Sequence, residues 1–352
     1  MDTPVLQSVD RTFVLWKGEK FLFFGGYDYH RHSSHPKVIS AFQRAAKEYG
    51  INSGGSLWTT GTHPFHKKLE KEICEFLDCD AVALFPSCYL ANQALTHYFI
   101  GINYNIFYPE NSHPSLTPII NAQPYSELDE LKSALNNSEN SLIIVESIID
   151  NGNEIAPLDQ IIECVPGAQI FIDDAHGISV VGRMGRGIFE YFKLEKTNII
   201  RSGSLSKGIG VYGGFITGSK QFIETLKNTS PIYQGSSSLP IPVCAAAIES
   251  IKMLKYEQEK ISKLQNTAIS FKDSLISKGV RIPLSETPVC ALNITDSFHI
   301  KEIKENLIKN RIFPSLIHYP GSPPEGIFRF AISSVHSKDQ TDNLLSVLRS
   351  IL

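Results

Sequence analysis

The chain is poor in the features that would commit it to a special setting. Its six cysteines, at 74, 79, 88, 164, 244 and 290, are scattered and form no Cys-x-x-Cys pair. A disulfide framework or cysteine-based zinc site is therefore not expected, and the thiols read as reduced core residues. No apolar run is long enough to span a bilayer. The opening "MDTPVLQSVDRTFVLWKGEK" has no basic region followed by an apolar stretch, so no signal peptide is expected and the expected location is cytoplasmic. Neither sign of charge dominates: the net charge is -3, which leaves no global field to attract nucleic acid or a membrane surface. Internal repeats, low-complexity tracts and long charge runs are also missing. What is present is a globular composition, 42% hydrophobic and 20% charged over 352 residues. That length suits one large domain and a smaller second one, with a sizeable core.

Residues 11–24 predict two short strands around a Lys17-Gly18 turn. From His35 to Gly50 the pattern is helical, with Pro36 in the first turn and Val38, Ile39, Phe42 and Ala45–Ala46 as the expected buried face. A glycine- and serine-rich loop follows, then a second amphipathic helix, "PFHKKLEKEICEFL". Short apolar runs at 81–87, 105–110, 141–147, 169–175, 198–204 and 212–218 alternate with helical segments. Continuous apolar strands suit a mostly parallel sheet covered on both faces, hence an α/β fold. Ligands collect at the carboxyl ends of such strands, where the chain places Ser87, Glu110, Glu146, Asp173 and Ser204. A long helix is expected from Ile241 to about Ser277, then a smaller α+β unit. The expected division is an N-terminal segment (1–40) packing with the small domain, a large domain (41–235) and a C-terminal small domain (236–352).

The chemistry concentrates in "RSGSLSKGIGVYGGFITGS", residues 201–219. Lys207 sits between Ser204 and Ser206 on one side and glycines at 208, 210, 213 and 214 on the other. Glycines permit close backbone approach, and a lysine that bonds a carbonyl must be held and partly desolvated. A surface lysine in a βα loop would carry the same stretch. "FIDDAHG" (171–177) adds two acids at a strand end, with His176 three residues after Asp173. Asp173 could ligate a metal, form an ion pair or face a protonated ring nitrogen; no second cluster has metal-ligand spacing. His113, in "YPENSHPSL", could stack on a planar ring or cap the helix after it. "LFPSCYLANQAL" predicts a strand, a turn and a helix start, with the Cys88 and Tyr89 amides aimed at an anion. Together these parts suit a flat, anionic, electron-accepting ring beside an amine, which describes pyridoxal 5'-phosphate (PLP).

The chain resembles the α-oxoamine synthases, fold-type I PLP enzymes with a mostly parallel seven-stranded sheet in the large domain and a small C-terminal α+β domain. The resemblance runs from about Tyr27 to the C-terminus. It rests on the order and spacing of "YGINSGGSLWTTGTHPFHKKLE" (49–70), "DDAHGISVVGRMGRG" (173–187), "SLSKGIGVYGG" (204–214), "IYQGSSSLP" (232–240) and "FRFAISSVHS" (328–337). It implies that Lys207 is the Schiff-base lysine and acid–base catalyst, that Asp173 pairs with the pyridine nitrogen, that His176 bonds the ring hydroxyl and that His113 stacks on the ring. Ser204 and the Cys88–Tyr89 amides, after Ser87, would hold the phosphate. Ser237 would reach the phosphate of the neighbouring subunit in a homodimer with its site at the interface. Arg329 would clamp the amino-acid carboxylate. The implied reaction condenses an amino acid with an acyl thioester, on coenzyme A or a carrier protein, with loss of CO2 to give an α-aminoketone.

Departures from the family pattern fall near the expected substrate. Tyr27 stands where the family has Asn, and His30–Arg31–His32 replaces "LGL". Ser87-Cys88-Tyr89 replaces Ser-Gly-Phe/Tyr. "ESIID", from Glu146 to Asp150, places a carboxylate where the family has a serine that touches the ring hydroxyl or substrate. A carboxylate there would repel a substrate carboxylate unless His30, Arg31 or Arg329 compensates. The family's N-terminal helical extension is mostly missing. The competing readings are an aminotransferase or decarboxylase on the same scaffold and a non-catalytic partner subunit. Retention of Lys207, Asp173, His113 and His176 weighs against the last.

Overall fold

The computed structural model describes residues 3–117, 120, 122–135, 140–194, 199–318 and 322–352. The chain opens with a three-stranded antiparallel sheet, β1 (Leu6–Asp10), β2 (Phe13–Trp16) and β3 (Glu19–Leu22). The expected β2–β3 hairpin turns on Lys17 and Gly18, both at positive φ. Phe21 and Val14 pack with Phe313, and Leu22 bridges to Ile312, so this segment lies against the C-terminal part of the chain.

Helices α1 (Pro36–Tyr49) and α2 (Pro64–Leu77) start alike. In each a His precedes a Pro, and its ring accepts the N–H two residues on: His35 from Lys37 and His63 from Phe65. Pro suits the first helical position because its missing N–H has no acceptor there. His66 completes a capping box at α2 and its Nε2 meets the Leu239 carbonyl at 2.7 Å, a structural role. The buried face of α1 is Val38, Ala41 and Ala45. Ile39 and Phe42, expected inside, are exposed with Tyr49 and Ile51. The small alanines let α1 approach the later helix over Ile241–Tyr256 closely, and the larger apolar residues are left on the opposite side.

The large sheet follows: β4 (Ala81–Phe85), α3 (Cys88–Gly101), β5 (Asn105–Pro109), β6 (Ala122–Tyr125), α4 (Leu128–Leu135) and β7 (Ser141–Glu146). After the small hairpin β8 (Ile148–Ile149) and β9 (Glu154–Ile155) come α5 (Leu158–Cys164), β10 (Gln169–Asp173), α6 (Ile188–Tyr191), β11 (Ile200–Ser204) and β12 (Gly214–Gly218). The seven strands run β4-β12-β11-β10-β7-β5-β6, and β12 is antiparallel to both its neighbours. All six predicted strands are present, although Asn198, at the start of one prediction, lies outside the described residues. The sheet is buried on both faces, as its continuous apolar strands require.

Helices α7 (Lys220–Thr229), α8 (Pro231–Gly235) and α9 (Ile241–Tyr256) continue, and α9 packs on α1 and α2. The single long helix expected to Ser277 is instead two. The chain leaves helical geometry at Glu257 (φ -113°, ψ 47°), and α10 (Gln258–Ile276) begins. Each half serves a different core: α9 joins Leu69, Ile73 and Leu84, whereas α10 joins the C-terminal sheet. That sheet is β13 (Val289–Leu292), β15 (Ile327–Ala331) and β14 (Leu316–Ile317), flanked by α11 (Ser297–Lys309) and α12 (Lys338–Arg349).

Candidate active site

Strands β7 and β10 end side by side, with Glu146 opposite Asp173. Asp173 is 9% exposed, and its carboxylate is held from two sides. Oδ2 accepts the Asn92 Nδ2 at 2.6 Å and Oδ1 accepts the Ala175 N–H at 2.9 Å. Asn92 also donates to Ser115 Oγ at 2.8 Å, and Ser115 Oγ lies 2.7 Å from His113 Nδ1. His113 Nδ1 accepts the Ser115 N–H, which is the third His-Pro cap of the chain. An accepting Nδ1 is unprotonated, and burial beside Lys207 lowers the imidazole's pKa. The His113 N–H reaches Glu146 Oε1 at 3.3 Å. Burial, reinforced by Asp173, pushes Glu146 up to about 7.

Asp174, the second acid, points to the opposite face, as alternation along an extended chain requires. It is buried against Arg201 at 3.6 Å and accepts the Ile188 N–H at 3.2 Å. This pair braces the sheet's other face and leaves Asp173 alone at the site.

Lys207 follows β11 on a tight turn. Ser204 Oγ accepts the Ser206 N–H at 3.1 Å, and the Lys207 carbonyl accepts the Gly210 N–H at 2.8 Å. A Cβ at Gly208 would lie 1.7 Å from Ser179 Oγ and 3.1 Å from the Ile178 carbonyl, so a larger residue there would have to displace the Ser179 side chain. Burial lowers the Lys207 pKa, opposed chiefly by the charge of Asp173. Across from this turn, Ser87 caps α3 by accepting the Leu90 N–H at 3.2 Å. The Cys88 and Tyr89 amides, in the first turn, have no intrahelical acceptor. The Cys88 thiol itself turns inward, 3.9 Å from Ser202 Oγ, and burial raises its pKa.

His176 Nδ1 lies 2.7 Å from the hydroxyl of buried Tyr29. Burial holds this imidazole well below its usual pKa, helped by Lys207 and Arg329. Arg329, on β15, donates from Nε to the Asn151 carbonyl at 3.1 Å and from Nη1 to the Gly26 carbonyl at 3.4 Å. The structure thus gathers Lys207, Asp173, Glu146, His113, His176, Arg329 and the start of α3.

Other expected residues stand further out. Tyr27 is exposed beside the Gly26 carbonyl. Asp150 is exposed, and its Oδ2 accepts the Asn153 Nδ2 at 3.0 Å. Ser237 is exposed and bridges to Ser56 in the glycine loop. His30 and Arg31 do not face Asp150. The His30 ring bonds Ser334 Oγ and the Ser179 carbonyl, and Arg31 bonds the Phe23 and Gly25 carbonyls. Tyr29, Asn92 and Ser115 were not singled out from the sequence. Asn92 offered one signal, an amide four residues into a helix that begins at a sheet's carboxyl edge.

The family described as "Aminotransferase class I and II" matches residues 19–348. The 8-amino-7-oxononanoate synthase 1 of Bacillus velezensis is 30% identical, covering 95% of this chain and 89% of its own. The 8-amino-7-oxononanoate synthase of Petrotoga mobilis is 32% identical, covering 98% and 92%. The solved serine palmitoyltransferase from S. paucimobilis with bound PLP–myriocin superposes with a TM-score of 0.90 at 22% identity, over 99% of this chain and 92% of that one.

Proposed function

The chain belongs to the aminotransferase class I and II family, in its α-oxoamine synthase branch, and from that premise we propose that it is a PLP-dependent C-acyltransferase. It joins an amino acid to an acyl thioester with loss of CO2. The observation that carries the assignment of its residues is the half-buried Lys207 on its tight turn, with desolvation lowering and Asp173 raising its pKa, and the Asp173 carboxylate held in place by Asn92 and Ala175.

The residues fit the cofactor. An anionic phosphate suits the Cys88 and Tyr89 amides and the Ser204 hydroxyl. Space for it depends on Gly214, where a Cβ would lie 2.3 Å from the Cys88 nitrogen. When bound, PLP supplies an aldehyde that condenses with amines and a ring that takes up carbanion charge. Asp173 would sit against the ring nitrogen and keep it protonated. The Tyr29 hydroxyl holds His176, which would bond the ring hydroxyl, and His113 would cover one face of the ring. Lys207, with its pKa lowered by burial, alternates between free base and ammonium, so it can take the amino acid's α-proton and later return one. Arg329 binds the amino-acid carboxylate in a planar fork. Glu146, close to neutral, fixes the His113 backbone. Asp150 acts through the next residue, Asn151, whose carbonyl holds Arg329.

The working form is a homodimer with Ser237 and the glycine loop at the partner's site. Exposed Ile39, Phe42 and Tyr49 along one face of α1 support this reading, since an apolar surface stripe suits an interface. Among the described residues no helix is long and apolar enough to cross a membrane. The N-terminal segment and the C-terminal residues form the small domain, closing over the large one. The test is the visible absorbance of the protein with added PLP. The wild-type chain shows a lysine-bound cofactor band that shifts with one amino acid of a panel, and Lys207→Ala lacks the band. No band in the wild type sinks the assignment.

A further inference from the structure

The turn that holds Arg329 is itself held by a device the reaction does not use directly. Asp150, Asn151 and Gly152 have φ of 49°, 57° and 107°, three left-handed residues in a row. Such a run persists only where its surroundings over-determine it. On one side the turn lines a cavity of about 300 Å³ with Asn153 and Arg281, so packing there is incomplete. On the other side it is pinned. The Asn153 carbonyl accepts the Lys272 Nζ at 2.9 Å and the Thr287 hydroxyl at 3.0 Å, and Ser285 Oγ bonds it as well. Lys272 is 1% exposed and donates also to Ser285 Oγ at 2.7 Å and Thr287 Oγ1 at 2.6 Å. Its partners are all neutral oxygens, an unusual arrangement for a buried ammonium.

The Asn153 side chain completes the connection. Its Oδ1 accepts the Ala291 N–H at 2.9 Å, and its Nδ2 donates to the Ala291 carbonyl at 3.0 Å. Ala291 pairs with Arg329 across β13 and β15. Arg329 is therefore fixed through two routes that meet at Asn153: its own bond to the Asn151 carbonyl, and its strand partner Ala291.

We propose that Lys272 and Asn153 are positioning residues that set the orientation of Arg329 toward the amino-acid carboxylate. This inference rests on reading Arg329 as the carboxylate clamp. Lys272 fixes the turn, the turn fixes the Arg329 fork, and amino-acid affinity depends on the fork while the proton transfers at Lys207 do not.

The test uses the full-length, PLP-loaded protein. Binding of L-alanine, glycine and L-serine is measured by absorbance and calorimetric titration, alongside steady-state constants and thermal unfolding, in Lys272→Met, Asn153→Ala, Arg329→Lys and the double variants. Each positioning variant is expected to weaken binding of the turned-over amino acid about tenfold and raise its KM, with kcat and the thioester KM within about threefold. Combined with Arg329→Lys, neither is expected to weaken it further, because both act through that side chain. Should Lys272→Met fail to fold, the milder pair Ser285→Ala with Thr287→Val tests the same anchor. Weakened binding in Arg329→Lys with wild-type binding in the positioning variants would overturn this inference alone. Wild-type binding in Arg329→Lys would overturn the clamp reading and this inference with it.

Discussion

Removing Arg201 gives a pH-dependent test of how the site is braced. Arg201 and Asp174 are 1% and 0% exposed and 3.6 Å apart. At an effective dielectric of about 20, unit charges at that distance attract by roughly 5 kcal/mol. Arg201→Met keeps length and apolar contact with Phe189, against whose ring the guanidinium lies at 4.5 Å. It leaves Asp174 buried without its counter-charge. Asp174 is already pushed up to about 7, with burial as the main cause. Between its unfolded pKa and 7 the folded state binds the extra proton, so this group's contribution to stability falls as pH rises and levels off above 7. Without Arg201 the folded pKa moves above 7 and the fall continues. The deficit of the variant should therefore be small near pH 6, then grow by about 1.4 kcal/mol per pH unit, to about 3 kcal/mol at pH 9. Urea unfolding followed by far-ultraviolet circular dichroism at pH 6, 7.5 and 9 measures it. A deficit that does not grow across that range refutes the reasoning. Adding Asp174→Asn should remove the growth, because no carboxylate is left to titrate.

Two more outcomes follow from burial and close approach. His30, His32, His66, His176 and His336 all have pKa values lowered by burial, His336 to about 3. The unfolded chain takes up those protons first, so stability should fall as pH drops below about 6.5, by about 1.4 kcal/mol per unit for His336 alone between 6.5 and 3. A flat urea midpoint between pH 6.5 and 5 contradicts this. Gly214→Ala would place a Cβ 2.3 Å from the Cys88 nitrogen and 2.5 Å from its Cα, displacing the start of α3. PLP affinity should fall at least about tenfold, with the circular dichroism spectrum retained; unchanged affinity in a PLP titration removes the α3 amides from the phosphate site.

The large sheet was legible because its strands are continuous apolar runs ending in polar residues, a pattern only a doubly covered sheet requires. The edges were not. β6 carries Pro124 and lies at the end of the sheet, where a missing N–H costs nothing, and β1 is nearly all exposed, so neither has an apolar signature. Ile39 and Phe42 share the helical periodicity of Val38 and Ala45, and periodicity alone does not say which apolar stripe meets α9. The break at Glu257 is set by two cores that one straight helix cannot serve. At the site, Lys207 and Asp173 stood out by their local setting. Asn92, Ser115 and Tyr29 did not, because they act on groups far away in sequence: Asn92 reaches Asp173, and Tyr29 reaches His176. Asp173 and Asp174 are adjacent acids, and the pleat of the strand sends Asp173 to the site and Asp174 to Arg201 on the other face.

Condensation and amine transfer differ in the products they release. PLP-loaded protein is mixed with an amino acid panel and an acyl-coenzyme A, and CO2 and free thiol are measured together. The two are expected in equal amounts, only when both substrates are present, with none from Lys207→Ala. Conversion of the cofactor to its amine form by an amino acid alone, without CO2 or thiol release when the thioester is added, would contradict condensation.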